Sequence, residues 1–326
     1  MPQYTHSYET DPNTGLPALK MGLVADDPAD SVSLAFAPTQ GCNPYSFQVG
    51  GREYMFGAFE RDGQKRIMGS PILYPMPNRV KNATFTFDGR VFTFEPNERT
   101  HFMHGLVQRA VWDVDEPVEG ESSISVRTSI KCVPGTPMYE RFPIENTLEL
   151  VYRLEPRTMH MDFTVSNTDA VYRLPFGLAI HPTFNVYGPR ESVTIECPAT
   201  KWMEHETQIP SGRLIDIANG PADLRTPKPI SELELDDVFF GLERAKPQVI
   251  RYHSLGKALT LYADDFFTHS VIYVPKGMPF FCVENQSCST DAHNLYAQGL
   301  QDAAHLTILE PGETLSASIT FQLSDL

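Results

Sequence analysis

His181 and Glu284 are the two side chains of this sequence best suited to moving protons. Each closes an apolar run with strand character. Leu174-Pro-Phe-Gly-Leu-Ala-Ile180 leads into His181-Pro-Thr-Phe-Asn185, and Met278-Pro-Phe-Phe-Cys-Val283 leads into Glu284-Asn-Gln286. Such runs read as strands buried on both faces, and a titratable group at the end of one leaves the core and meets a cleft. An imidazole and a carboxylate placed there form an acid/base pair, one giving a proton while the other takes one. Taken singly, a histidine at a strand end reads as a satisfied structural residue. The chemistry therefore depends on the two sharing one cleft. They lie 103 positions apart (284 − 181), so only the tertiary fold can unite them.

Other clusters carry weaker signals. His101-Phe-Met-His104-Gly105 has the H-x-x-H spacing of a metal site, but its flanks read as loop and no third ligand is near. Asp236-Asp237 sits where Glu232-Leu-Glu-Leu leads into Val238-Phe-Phe240. An acidic run is ordinarily a solvated face, yet a carboxylate where the chain dives into the core can also bind paired hydroxyls. Arg79 ends a Pro-punctuated segment, Pro71-Ile-Leu-Tyr-Pro-Met-Pro-Asn-Arg79. Its planar fork suits ligand oxygens or another site residue, although alone it reads as a surface charge. There is no G-x-G-x-x-G after a strand, no Walker A sequence and no G-x-S-x-G elbow, which leaves nucleotide cofactors and serine-hydrolase chemistry unsupported.

The elements that must position these residues are strands. Residues 84–94 alternate about Asp88-Gly89, a strong hairpin signal. Alternating runs follow at 123–130, 148–154, 159–165, 193–196, 258–262, 270–274, 280–283 and 315–323. Residues 292–298 and 229–233 read as short helical turns, and no longer amphipathic helix is evident. The 27 prolines fit many loops. This is the pattern of one large antiparallel β-sandwich with little helix, residues 1–326 forming a single domain. A formal charge of −15 argues against nucleic-acid and anionic-membrane partners. Five cysteines with no C-x-x-C pair, no visible signal peptide and no long apolar run fit a reducing, cytoplasmic setting. The sequons at Asn82 and Asn285 carry no meaning there.

In order, these segments resemble the aldose 1-epimerase (mutarotase) family. The matching motifs are Pro71-Ile-Leu-Tyr-Pro with Asn78-Arg79, His104-Gly105 with Trp112, and Asn146-Thr-Leu-Glu-Leu. They continue with His181-Pro-Thr-Phe-Asn185, Leu235-Asp236-Asp-Val-Phe239, Phe281-Cys-Val-Glu284-Asn-Gln286 and Leu309-Glu-Pro-Gly-Glu313. They span about residues 30–324. The resemblance implies a β-sandwich of the galactose mutarotase type that interconverts the anomers of a free hexose without cofactor or metal. It implies Glu284 as base and His181 as acid, starting as carboxylate and imidazolium. His104 would hold or polarise the sugar, while Arg79 and Asp236 would bind hydroxyls. Three departures bear on substrate: Leu106 follows His104-Gly105 where the galactose enzymes have a second glycine, Asn285 follows the glutamate, and Thr183 stands where an aromatic is frequent. They lean toward a branch in which some members take phosphorylated hexoses. A hexose-6-phosphate mutarotase, a non-catalytic carbohydrate-binding protein and a polysaccharide lyase or hydrolase are the alternatives. With Arg79 the one basic residue assignable to the cleft, and Lys81 and Arg109 unplaced, a neutral hexose is favoured over a phosphosugar. The expected partner is a small sugar, with the chain a monomer or homodimer. The polar atoms of Glu284 and His181 are expected to flank one sugar ring, roughly 5–8 Å apart, with His104 and Arg79 lining the same space and Asp236 at its rim.

Overall fold

A computed structural model of the chain describes residues 2–12, 14–61 and 64–326, without the side chains of 59–61 and 64–66. Two large sheets dominate, and every strand pairing among the described residues is antiparallel. The ten-stranded sheet is centred on Asn146–Glu155, Thr158–Asn167, Thr314–Asp325 and Lys257–Ala263. The eight-stranded sheet runs from Ile209–Asp216 through Lys201–Glu206, Leu235–Phe240, His269–Val274 and Phe280–Gln286 to Ala179–Ile180 and Ile72–Leu73, with Thr183–Asn185 also on Phe280–Gln286. One apolar core joins them. Leu148, Leu150, Phe163 and Phe321 enter it from the first sheet, and Phe239, Ile272, Phe281 and Val283 from the second. Phe184 meets Phe321 between the sheets with ring centroids 5.8 Å apart. This is the β-sandwich that the period-2 runs predict, with α-helix confined to Pro137–Arg141, Ala292–Ala297 and Gln301–Ala304 among the described residues. No helix there is long and apolar enough to cross a membrane.

The hairpin forms as read. Thr84–Phe87 pairs with Arg90–Thr93, and Asp88 and Gly89 both take positive φ (49° and 74°), as a two-residue loop with matching twist requires. The region 292–298 yields the helix Ala292–Ala297, and 229–233 a 3-10 turn, Ile230–Glu232. Two readings need correction, and one sheet was missed. The run from Leu174 to Ile180 is two strands, Leu174–Phe176 and Ala179–Ile180, broken at Gly177. A Cβ at Gly177 would lie 2.3 Å from Cys288 Sγ, so the break between the two strands has no room for a side chain. Glu284 is inside a strand: Phe280–Gln286 is buried along all seven residues. A five-stranded sheet over the N-terminal residues, Gln3–Thr10 to Arg52–Glu53, was not foreseen. Its first strand is exposed and polar, so it carries almost no period-2 signal.

Candidate active site

The ladder of the eight-stranded sheet explains how His181 and Glu284 meet. Ala179 pairs with Gln286 and Thr183 with Cys282, each pair summing to 465. The same register sets His181 opposite Glu284 (181 + 284 = 465). Directly opposed residues on neighbouring strands have Cβ atoms about 4.5–5.5 Å apart. His181 Nε2 accordingly lies 3.3 Å from Glu284 Oε1. The expected ring-wide separation is therefore wrong: the two groups stand side by side on one wall. The row continues through Val271 and Val238, and the adjacent row holds Thr183, Cys282, Tyr273 and Asp236. Alternation points both rows to the same face.

A short ribbon closes over that face. Arg79–Val80 pairs with Phe102–Met103, Arg79 opposite Met103. His104 N–H then donates to Asn78 O at 2.8 Å, holding His104 at φ 71°. The left-handed turn at Gly105 is forced, since a Cβ there would meet Tyr74 O at 2.4 Å. The ribbon is anchored by Asp291. Its N–H donates to Arg79 O, and its Oδ1 accepts from Lys81 N–H, both at 2.9 Å.

Between ribbon and sheet lies a cavity of about 220 Å³, lined by Asn78, Arg79, Met103, His104, His181, Asp236, Val271, Tyr273 and Glu284. A space of this size admits a small molecule rather than a polymer chain. All five predicted site residues line it. Sequence reading missed Asn78, Met103, Val271 and Tyr273. Asn78 lay within a quoted motif, and Tyr273 lies two positions from Val271 in an alternating run, but nothing marked their faces as polar or apolar walls. Asp236 and Asp237 separate: Asp236 faces the cavity, while Asp237 Oδ1 accepts from Trp202 Nε1 at 2.8 Å and pairs with His205 Nε2 at 3.0 Å. His101 and His104 separate too, for His101 Nδ1 accepts from Asn82 N–H and only His104 reaches the cavity. The side chains that could hold a metal are instead His181, Cys282 and Glu284.

Arg79 is the only lysine or arginine in the lining; Lys81 and Arg109 are not part of it. Its guanidinium sits 3.5 Å from Glu98, 4.0 Å from Asp236 and donates to Asn78 Oδ1 at 3.1 Å. Burial sets the protonation of the pair. It pushes the Glu284 carboxyl well above its ordinary range, reinforced by Asp236 and opposed by Arg79. It pulls His181 down to about 4, with Arg79 adding to the effect. Both shifts oppose the expected carboxylate–imidazolium start, because both charged forms lose solvation. His104, its ring centroid 5.2 Å from that of His181, is also held well below the usual histidine value by burial, then by His181, Arg79 and Arg109. Asp236 is raised by burial against the pull of Arg79.

Fold and cavity together describe a β-sandwich with one imidazole–carboxylate pair on the wall of a polar cavity. The aldose 1-epimerase family model matches residues 29–322, and the chain belongs to that family. Protein LacX (plasmid) of Lactococcus lactis subsp. lactis is 24% identical over 268 residues, 76% of this chain and 83% of LacX. Among solved structures, a galactose mutarotase-like protein from Clostridium acetobutylicum superposes with a TM-score of 0.82 at 16% identity, covering 99% of both chains. Galactose 1-epimerase from Lactobacillus acidophilus NCFM superposes with 0.75 at 13% identity, covering 100% of this chain and 99% of its own. These likenesses establish the sandwich as the galactose mutarotase type.

Proposed function

We propose that the chain is an aldose 1-epimerase that interconverts the α and β anomers of a neutral free hexose. The observation that carries this reading is the His181–Glu284 contact of 3.3 Å on the wall of a cavity that admits a small molecule. The reactive state has the pair's one proton on His181, passed from Glu284 across their contact: with a cyclic sugar bound, Glu284 as carboxylate takes the proton of the anomeric hydroxyl while imidazolium His181 protonates the ring oxygen. The C1–O5 bond breaks and C1 becomes an aldehyde. Rotation about C1–C2 turns the other carbonyl face toward the ring hydroxyl. Closure returns the proton from Glu284 to the carbonyl oxygen, and His181 recovers its own from the hydroxyl. The open-chain stage thus coincides with neutral Glu284 and neutral His181, the protonation state that burial favours. The cycle needs no change in the net charge of the site. His104, neutral by the same desolvation, offers a hydrogen bond without a competing positive charge. Arg79 and Asp236 are positioned to bind ring hydroxyls.

A neutral substrate is supported by the charge of the lining. A phosphate asks for two or more convergent cations, and Arg79 stands alone between Glu98 and Asp236. The decisive experiment is polarimetry of freshly dissolved α-glucose and α-galactose beside a panel of hexose 6-phosphates. Acceleration confined to neutral sugars is expected. Preference for a phosphosugar overturns the substrate assignment, and acceleration of no aldose overturns the reaction in favour of sugar binding alone.

A further inference from the structure

We propose that His181, Cys282 and Glu284 form a binding site for a soft divalent cation, Zn²⁺ foremost, and that the bound ion blocks the acid/base pair. The binding half stands apart from the proposed epimerase reaction; the blocking half rests on it. The imidazole nitrogen, the thiol sulfur and a carboxylate oxygen all lie within 4.8 Å of one another, and among the described residues they are the one such group of three. Bond lengths of ~2.3 Å to sulfur and ~2.0–2.2 Å to nitrogen or oxygen place tetrahedral zinc ligands roughly 3.3–3.7 Å apart. The His181–Glu284 separation of 3.3 Å already fits. Cys282 stands two residues from Glu284 on the same face of its strand, diagonal to His181 across the ladder. Its thiol is held only by a 3.6 Å contact to Thr183 Oγ1. His181 and Glu284 line the cavity, which gives the entry path, and Cys282 lies buried beside them, so a modest swing of its side chain completes three ligands on a rigid sheet.

The donor set selects the metal. One sulfur, one nitrogen and one oxygen suit Zn²⁺ or Co²⁺, whereas Mg²⁺ and Ca²⁺ seek oxygen ligands. Charge balances as well. Before binding, the thiol is neutral and the His181–Glu284 pair carries one proton and no net charge. Binding expels the thiol proton and the shared proton, leaving thiolate, carboxylate and neutral imidazole around a dication. The occupied site is again neutral, which burial requires. The same event takes both proton-transfer groups out of use, so a metal of this class competes with the sugar.

The test uses the full chain, stripped of metal and titrated with Co²⁺ and then Zn²⁺. Wild type should develop a thiolate-to-cobalt charge-transfer absorption with one equivalent of Co²⁺, which Zn²⁺ bleaches. Mutarotation should fall as the zinc site fills. C282S and C282A should keep mutarotation but lack the absorption. Removing a group that only supports a metal ligand already costs ~10–100-fold in affinity, so losing the thiolate itself should raise the inhibitory zinc concentration at least about 100-fold. Circular dichroism checks the fold of both variants. Absence of the cobalt–thiolate absorption in wild type, or unchanged zinc sensitivity in both variants, overturns the site. Should wild type mutarotate no aldose, the epimerase reading fails while the absorption still decides the metal site.

Discussion

Glu284→Gln separates catalysis from stability in one residue. Gln keeps the size of the side chain and a polar contact to His181, now 3.3 Å away, but can neither take nor carry the shared proton. General acid–base transfer contributes ~10²–10⁴-fold, so mutarotation of α-glucose, followed by polarimetry and corrected for the spontaneous rate, should fall by at least ~10²-fold. Stability should move the other way. Burial gives folded Glu284 a stronger hold on its proton than the unfolded chain has. Wild-type stability is therefore full below the ordinary carboxylate range and is lost as pH rises through the raised folded value. Gln escapes that loss. Each unit of displacement is worth ~1.36 kcal/mol. With an unfolding entropy of ~2.1 cal/mol/K per residue over 326 residues, that is about 2 °C in Tm per unit. The variant should thus melt above wild type by a margin that widens from pH 4 to pH 8. A folded variant retaining more than a tenth of wild-type turnover would refute the catalytic reasoning. A Tm difference constant across pH would refute the electrostatic one.

Three further outcomes are expected. The pH profile of kcat/KM should show no break near 6.5, its acid limb lying instead near pH 4, where His181 gains a second proton for the pair; a limb at the ordinary histidine value would contradict the desolvated pair. Asp291→Ala should raise KM more than it lowers kcat and cost roughly 1–3 kcal/mol in denaturant unfolding, since it strands the Lys81 N–H and loosens the ribbon bearing Arg79; an unchanged KM would dissociate the anchor from the site. His269 is fully buried, with its folded pKa pulled down to about 3 by burial and by His305. It resists a proton the unfolded chain accepts, so it destabilises the fold progressively as pH falls from 6.5 toward 3, and His269→Gln should narrow its stability deficit, or reverse it, by about 3–5 kcal/mol over that range in chemical unfolding.

The sandwich was readable because its long strands obey period 2. Asn146–Glu155 and Thr158–Asn167 alternate buried and less buried residues along most of their length. What local pattern cannot encode is partnership. His205 and Trp202, on Lys201–Glu206, meet Asp237 on the neighbouring Leu235–Phe240, and Lys201–Glu206 alternates weakly and is half-exposed. Asp291 touches Lys81 across 210 positions. The five cavity residues were legible through their motifs as a set, yet their distances were not. Register is a property of two strands together, and His181 and Glu284 owe their contact to a register no single run reveals.

That register also corrects the chemical geometry. A separation of one ring width presumes that the two groups act at opposite ends of the sugar. In a hemiacetal the two oxygens that exchange protons, the anomeric hydroxyl and the ring oxygen, are both bonded to C1. Groups serving two oxygens of a single carbon belong next to each other on one wall, with the rest of the ring projecting away. His181 and Glu284, opposed in the ladder at 3.3 Å, have that relation. Hydroxyls further round the ring would then face Arg79 and Asp236, which line the same cavity. The sheet fixes the pair while the ribbon carrying Arg79 and His104 closes the space from the other side. Substrate choice on this frame should be tunable through the ribbon, while the sheet holds the pair that transfers the protons.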